Sequence, residues 1–459
     1  MNVPATIFRQ YDIRGTVGDQ LTAELARAIG EAFVALGTGT AWRGRPRIAV
    51  GRDNRPSGAG LADAVLDGIR RAGGVAVDIG ELPTPALYFA THVLDVNGGI
   101  QITGSHNPPE FNGFKMVAGG EAVFGDAIQR LRTLITSGGA PAVAGGARET
   151  DATILARYSD AIVQHNGPLA RRVKVAVDCG NGVTSLIAID TLRRLGAEVI
   201  PLYAESDGTF PNHHPDPTVP ETLADLQATV LREGCELGIA FDGDGDRIGA
   251  VDERGTIVFG DQLLVLFGRD LVHRMGPGHY VIFDVKSSEV LPQQLAKAGL
   301  KPQMWKTGHS LIKQKMKELH APLAGEMSGH MFFGGDWYGF DDALFAAARL
   351  LAYVAREGGP LSRRLADLPR TFATPELRVD CPDERKFAIV EQAAKYFAAR
   401  YPVATLDGVR ITFPEGWGLL RASNTGPVLV MRFEARRAEA LAAYRAEVEA
   451  WLATAASVA

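Results

Sequence analysis

Several short stretches of the chain gather side chains able to serve as nucleophile, metal ligand or anion grip. In "TGSHNPP", an apolar run ends at Thr103 and places Ser105 beside His106. Gly104, Pro108, Pro109 and Gly113 fix a turn there, so the segment continues neither as strand nor as helix. Alone, it is a polar turn whose hydroxyl caps a neighbouring amide; only the rest of the chain can make it more. The second stretch, "FDGDGDR", sets Asp242, Asp244 and Asp246 alternately with glycines after the apolar "ELGIAF". Alternate side chains of an extended segment share a face, and the glycines let the backbone curl so that three carboxylates converge. Their repulsion is relieved by a hard divalent cation with oxygen ligands, and the open octahedral positions suit Mg²⁺.

Two other readings of the aspartates bear on that chemistry. An EF-hand register puts Asp at positions 1, 3 and 5 and Glu253 at 12, but position 6 is Arg247 instead of glycine. The approach is also a strand, which excludes it. An apolar strand ending in Asp-x-Asp also resembles the aspartyl-phosphate phosphatases, with the first Asp as nucleophile, and this alternative stays open.

Donors gather in "RASNTGP", Arg421 to Pro427, where a guanidinium, two hydroxyls and an amide share a tight turn. Such a turn is a phosphate cradle, or equally an Asx or Ser turn serving itself. "KTGHS", Lys306 to Ser310, follows a strand and opens a helix, where amides and dipole favour an anion. Gly180-x-Gly182 lacks the third glycine of a dinucleotide fingerprint, Ser185 standing in its place, and reads as close strand-to-helix packing. The G-x-x-x-x-G-K-[ST] loop is absent, against a P-loop kinase, and Thr103 excludes a G-x-S-x-G elbow.

These loops need a scaffold. The 459 residues are 46% hydrophobic and 22% charged, ordinary globular composition at a length for three or four domains. A net charge of −5 gives no basic field for nucleic acid or an anionic membrane. Cys179, Cys235 and Cys381 are odd in number and far apart, against a disulfide framework or zinc site. "MNVPATIFRQ" shows no signal-peptide pattern, and Ala343 to Ala355, interrupted by Arg349, is too short to span a bilayer. A cytoplasmic monomer without nucleic-acid or membrane partners is expected.

One order of elements recurs three times: strand, helix, strand, helix, strand. It runs from "PRIAVGRD" to "GIQITGS", from "VKVAVDCG" to "ELGIAFDGDGD", and from "HYVIFDVK" to "APLAGEMSGH". Apolar strand runs alternating with helices of 3.6-residue period predict βαβ units with mixed, largely parallel sheets. Three such domains are expected at 1–150, 151–253 and 254–366, the Gly/Ala-rich "SGGAPAVAGGARE" marking the first boundary. Residues 367–459 read as a smaller α+β domain with an antiparallel sheet. Because ligands bind beyond the carboxyl ends of strands in open α/β sheets, the third-strand loops "TGSHN", "FDGDGDR" and "GEMSGH" could enclose a single central cleft.

With "TGSHNP", "DGDGDR", "GEMSGH" and "RASNT" in that order and spacing, the chain resembles the α-D-phosphohexomutases, most closely their bacterial phosphomannomutase/phosphoglucomutase branch. "YDIRG", "FDVK" and "KTGH" match as well, and the likeness covers essentially the whole chain. It implies a reversible phosphoryl transfer that interconverts mannose or glucose 1-phosphate and the 6-phosphate. The route implied is a hexose 1,6-bisphosphate and a phosphorylated Ser105, with glucose 1,6-bisphosphate as activator. Asp242, Asp244, Asp246 and the phosphoryl group on Ser105 would hold Mg²⁺. Lys115 and His330 are the implied acid and base, and His106 would orient the phosphoserine. Glu326 and Ser328 would read the sugar 3- and 4-hydroxyls. Arg421, Ser423, Asn424 and Thr425 would grip the distal phosphate, while Tyr11, Arg14, Arg247, Lys286 and His309 complete the lining. Met327 stands where related phosphoglucosamine mutases usually carry Gln, and both hexose epimers are expected to react. A swing of the last domain near residues 366–370 would let the bisphosphate turn. A phosphatase using Asp242, and a non-catalytic sugar-phosphate sensor, are the competing readings.

Overall fold

A computed structural model describes residues 2–38, 42, 44–138, 142–424 and 426–458. In the first domain Arg47–Arg52 pairs in parallel with Val75–Glu81 on one side and Gly98–Ile102 on the other. Gly98–Ile102 then turns back into Phe111–Ala118, its antiparallel neighbour. The second sheet repeats this arrangement, with Lys174–Asp178 between Glu198–Leu202 and Leu237–Phe241, and Ile248–Asp252 returning antiparallel. The third repeats it again, with Tyr280–Asp284 between Lys301–Trp305 and Leu323–Gly325, and Met331–Phe333 returning. The mixed, largely parallel sheets expected from the sequence are present. The second runs on past residue 253, because Ile257–Val258 pairs with Ile248–Asp252.

The local causes are ordinary ones. "LGIAF" of Leu237–Phe241 is buried at every position, as a strand covered on both faces must be. The helix Gly58–Arg71 buries Leu61, Val65, Leu66 and Ile69 on one stripe and closes with Arg70 and Arg71, which suit the negative end of its dipole. The first three domains share a core that runs from Leu87 and Phe89 through Tyr158 and Ile239 to Phe283, Phe333 and Phe345. At its centre lies the helix Ala343–Glu357, the apolar run seen in the sequence, buried on almost every side. Among the described residues no helix is long and apolar enough to cross a membrane.

The fourth domain differs. Val428–Ala435 pairs antiparallel with Gly416–Ala422, Leu377–Asp380 and Phe372–Ala373, and Val409–Phe413 continues the sheet to Val403–Ala404. Its core, with Phe397, Phe413, Phe433 and Val448, is its own. It meets the third domain through a small apolar contact of Trp417 and Leu419 with Val285. Polar bonds surround that contact: Arg410 donates to the carbonyls of Val285 (2.5 Å) and Ser287 (3.1 Å) while its guanidinium lies 3.8 Å from the Trp417 ring centroid.

Two buried acids in the shared core are open to test. Asp270, fully buried, accepts from Arg349 (2.6 Å), Arg356 (2.7 Å) and Arg274 (2.8 Å), and the guanidiniums hold its carboxyl below the usual range although burial opposes them. Asp270→Ala leaves three guanidiniums without their shared counter-charge and is expected to cost about 3–5 kcal/mol in denaturant unfolding; a cost under about 1 kcal/mol contradicts this account. Asp342 caps the helix Ala343–Glu357, accepting from the Phe345 amide (2.8 Å), Tyr158 Oη (2.6 Å) and Trp337 Nε1 (3.0 Å). Burial nevertheless pushes its pKa up to about 6. Because the folded value exceeds the unfolded one, the contribution to stability is complete below pH ~4 and is lost as pH rises through ~6. Relative to Asp342→Asn, the wild type should therefore lose up to about 3 kcal/mol of unfolding free energy between pH 4 and pH 7.5. A difference that stays flat with pH contradicts the assignment.

Candidate functional site

Each of the four chemistry-bearing stretches is the connection between a strand and its antiparallel neighbour. Residues 103–110 join Gly98–Ile102 to Phe111–Ala118, 242–247 join Leu237–Phe241 to Ile248–Asp252, and 326–330 join Leu323–Gly325 to Met331–Phe333. The stretch 423–427 joins Gly416–Ala422 to Val428–Ala435. Paired strands at both ends fix where each of these loops begins and ends.

Ser105 is buried, and its hydroxyl lies 3.2 Å from His106 Nδ1 and donates to Asp242 Oδ2 at 3.2 Å. Desolvation and the guanidiniums of Arg247 and Arg14 hold the His106 pKa well below its ordinary value. Arg14 donates to Asn107 Oδ1 (3.1 Å) and to the Gly104 carbonyl (3.3 Å), so it braces the same loop.

Asp242, Asp244 and Asp246 are all fully buried. Asp242 Oδ1 accepts the amides of Gly245, Asp246 and Arg247 at 3.0, 3.0 and 3.1 Å, which closes the turn. Lys115, on Phe111–Ala118, donates to Asp244 (2.7 Å) and Asp246 (2.5 Å). Burial opposes the lysine's charge, yet those two carboxylates raise its pKa above the ordinary value. Burial, Asp246 and Asp244 push the Asp242 carboxyl well up, whereas Lys115 and His330 overcome burial to hold Asp246 well down. The three carboxylates offer ligand atoms within 4.8 Å of one another. Asp244 Oδ1 is buried with no hydrogen-bond partner among the described residues. An all-oxygen donor set in which one buried oxygen has no hydrogen-bond partner fits a hard divalent cation.

The third loop is tied to the second by backbone: Arg247 and His330 form a bridge, and the Ile248 amide donates to the Gly329 carbonyl at 3.1 Å. Gly329 has φ +89°, and a Cβ there would lie 2.4 Å from the Ile248 carbonyl oxygen, so only glycine permits this approach. His330 Nδ1 lies 2.9 Å from Glu326 Oε2 and 3.2 Å from Ser328 Oγ, while its Nε2 lies 3.2 Å from Asp246 Oδ1. Burial disfavours the imidazolium, but Asp246 and Glu326 prevail and raise His330 to about 9. The other oxygen of Glu326 accepts the Gly308 amide at 2.7 Å, so the helix start at "KTGHS" spends that amide on a carboxylate. His309 faces Asp341 at 3.5 Å, and its ring centroid is 5.9 Å from that of His330.

The remaining residues line the side toward the fourth domain. Arg421 is buried against Asp407 at 3.1 Å, and Gly426 donates to Ser423 Oγ at 3.2 Å. Asn424 Nδ2 donates to Tyr11 Oη at 2.7 Å, and Tyr11 in turn donates to the Thr307 carbonyl at 2.6 Å. Tyr11 thus ties three domains together, more than the core packing that a lone buried tyrosine suggests. Lys286 pairs with Glu376 of the fourth domain at 3.2 Å. Thr425 lies outside the described residues.

Sequence reasoning missed several residues here. Lys386, buried in the first turn of the helix Asp383–Ala398, donates to the carbonyls of Ser423 (2.6 Å) and Gly426 (3.0 Å) and holds the fourth loop from beneath. Thr84 donates to Asp244 at 2.6 Å, and Asp216 stands 3.8 Å from Arg247. A lysine at a helix start and a threonine before a proline carry no motif. Arg55 did have a signal, following "GRD" at the end of a strand.

Comparison with known proteins fits this geometry. Models of the phosphoglucomutase/phosphomannomutase family match in order: alpha/beta/alpha domain I at residues 5–140, domain II at 156–255, domain III at 259–372 and the C-terminal domain at 376–450. A phosphomannomutase/phosphoglucomutase of Pseudomonas aeruginosa is 49% identical over 440 residues, 96% of this chain and 94% of its own. A phosphoglucomutase of Neisseria gonorrhoeae is 45% identical over 437 residues, 95% and 94% of the two chains. The crystal structure of a phosphoglucomutase/phosphomannomutase family protein from Burkholderia thailandensis superposes with a TM-score of 0.90 at 41% identity, covering 99% of this chain and 98% of the other. With four domain models in the expected order and likeness over nearly its whole length, the chain belongs to the phosphoglucomutase/phosphomannomutase family.

Proposed function

We infer that this chain moves a phosphoryl group between O1 and O6 of glucose and mannose phosphates, through a phosphorylated Ser105 and a hexose 1,6-bisphosphate. The observation that carries the reading is the Ser105 hydroxyl bonded to Asp242 at the mouth of the buried carboxylate cluster, with Lys115 and His330 reaching that cluster from separate domains. The names of the relatives supply the substrates.

In the first half-reaction a sugar hydroxyl attacks the phosphorus on Ser105. The new P–O bond forms to the sugar, the bond to Ser105 Oγ breaks, and the hydroxyl proton passes to a base. Lys115 or His330 serves as that base and the other as acid, since each reaches the carboxylate cluster from its own strand pair. The second half runs in reverse from the other end of the bisphosphate and returns a phosphoryl group to Ser105. Asp242, Asp244 and Asp246 are the residues that would hold Mg²⁺, with an oxygen of the Ser105 phosphoryl group. When bound, the cation supplies neutralisation of charge on the transferring group. His106 orients the serine, Arg14 and Arg247 add positive charge, and Glu326 with Ser328 reads the sugar hydroxyls. Arg421, Ser423 and Asn424, held up by Lys386, grip the phosphate that is not reacting, while Tyr11, Lys286 and His309 line the cleft. The bisphosphate turns when the fourth domain swings near residues 366–370, a motion its separate core and polar seam permit.

Phosphorus NMR of mannose 1-phosphate with Mg²⁺ and a trace of glucose 1,6-bisphosphate should show a growing 6-phosphate signal without inorganic phosphate. Ser105→Ala should reduce the rate at least about a thousandfold. Release of inorganic phosphate that survives Ser105→Ala would make the protein a phosphatase acting through Asp242. Because the distal phosphate offers binding energy common to both epimers, kcat/KM for glucose 1-phosphate and mannose 1-phosphate should agree within about a hundredfold. A larger ratio refutes dual specificity.

A further inference from the structure

Arg55 lies just past the strand Arg47–Arg52 and has no part in the chemistry above. Its side chain is wholly buried, 0% exposed. Its two terminal nitrogens donate to four backbone carbonyls of the serine loop. Nη1 reaches Pro108 at 2.6 Å and Phe111 at 2.9 Å; Nη2 reaches Ser105 at 2.8 Å and Asn107 at 2.5 Å. Its Nε donates to Asp53 Oδ2 at 3.1 Å, and that same oxygen accepts from Thr103 Oγ1 (2.7 Å) and the Gly104 amide (3.1 Å). One arginine–aspartate pair therefore holds residues 103 to 111 from donor and acceptor sides together.

What the pair holds is not a relaxed loop. Ser105 has φ +51°, a left-handed conformation that a side-chain-bearing residue keeps only where its surroundings over-determine it. The packing leaves no slack around it. A Cβ on Gly104 would lie 2.4 Å from Arg55 Cζ, and one on Gly243 of the acidic loop would lie 2.5 Å from the Ser105 carbonyl oxygen. The ring of Phe210, from the second domain, covers the guanidinium at 5.2 Å. Asn54 donates to the Asn181 carbonyl (2.7 Å) and Ser206 Oγ (3.0 Å), which fixes the segment to the domain that carries the three aspartates.

We propose that Arg55, anchored by Asp53, is the positioning residue that sets Ser105 Oγ against the acidic loop for phosphoryl transfer. The proposal rests on the mutase reading above. A guanidinium is a planar fork that can serve four carbonyls and a carboxylate at once, and an ammonium is not. Misplacing a reacting oxygen by about 1 Å can cost roughly a hundredfold in rate.

The test compares wild type, Arg55→Lys and Arg55→Ala as full-length proteins, each checked for a cooperative melt. In Arg55→Lys, kcat for glucose 1-phosphate should fall about a hundredfold while KM stays within about threefold. Millimolar guanidinium should restore at least about tenfold of the Arg55→Ala rate, and methylammonium should not. A crystal structure of Arg55→Lys should show Ser105 out of the left-handed region. The proposal is overturned if Arg55→Lys keeps its kcat, if the loss only follows the folded fraction, or if Ser105 stays near φ +51°. Failure of the wild type to turn over any hexose phosphate would sink the mutase reading instead, and the Ser105 backbone of Arg55→Lys would still decide the positioning role.

Discussion

Asp242, Asp244 and Asp246 stand within five residues of chain and are excluded from water, so their repulsion is little screened. Folding this segment requires that most of that charge be met from inside the protein. Three amides of its own turn meet part of it at Asp242, Thr84 and Thr103 add hydroxyls at Asp244, and Lys115 and His330 supply the cations. These partners belong to three domains. The acidic loop therefore cannot be satisfied by its own domain, and its electrostatics draw the first and third domains onto it. The same compensation raises Lys115 and His330 above their ordinary values and drives Asp242 and Asp246, four residues apart, in opposite directions.

The hairpin plan makes this convergence possible. A parallel sheet alone would send each third strand into a helix, and its loop would be free at one end. Here the chain reverses into an antiparallel neighbour, so the loop is gripped on both sides and its side chains project from fixed strand ends. Three domains built this way, sharing one apolar core, place their loops with the precision of a single body. Glycine is needed where loops meet: Gly329 at the Ile248 carbonyl, and Gly308, where a Cβ would lie 2.5 Å from the Tyr11 ring.

Much of this was legible in the sequence, because the signals were periodic or stacked in short motifs. Most of the parallel strands were continuous apolar runs, although Lys301–Trp305 and Ala147–Thr150 were not, and the three third-strand loops carried polar clusters at equivalent places. The returning strands were harder to see. "FNGFKMVA" mixes polar and apolar residues, and "MFF" is too short for any period to show. The strand Ile257–Val258 has two residues and is defined only by its partner, which is why the second sheet extends past the boundary read from spacing. Asp53, Lys386 and Asp407 were missed because each acts through a bond to a residue far along the chain, Asp53 to Thr103, Lys386 to the Ser423 carbonyl and Asp407 to the Thr307 amide. No local pattern encodes such a bond, whereas a triplet of aspartates announces itself.

The division of the molecule follows from what a bound phosphosugar would need at its two ends. Where bonds are made, oxygen positions must hold to a fraction of an ångström, and that end is built from a common core, paired strands and buried charge. On the proposed mutase reading a spectator phosphate would be held at the other end, where either end of the sugar has to be accepted, so the grip would have to open. The fourth domain would meet that need with a separate core and only a thin apolar contact to the third domain, joined by guanidinium bonds to carbonyls. Tyr11, bonded to both Thr307 and Asn424, stands where the two regimes meet. Had the fourth domain joined the shared core, opening would expose apolar surface and the two ends could not differ in mobility. A largely separate core would allow one cleft to be rigid at one end and releasable at the other.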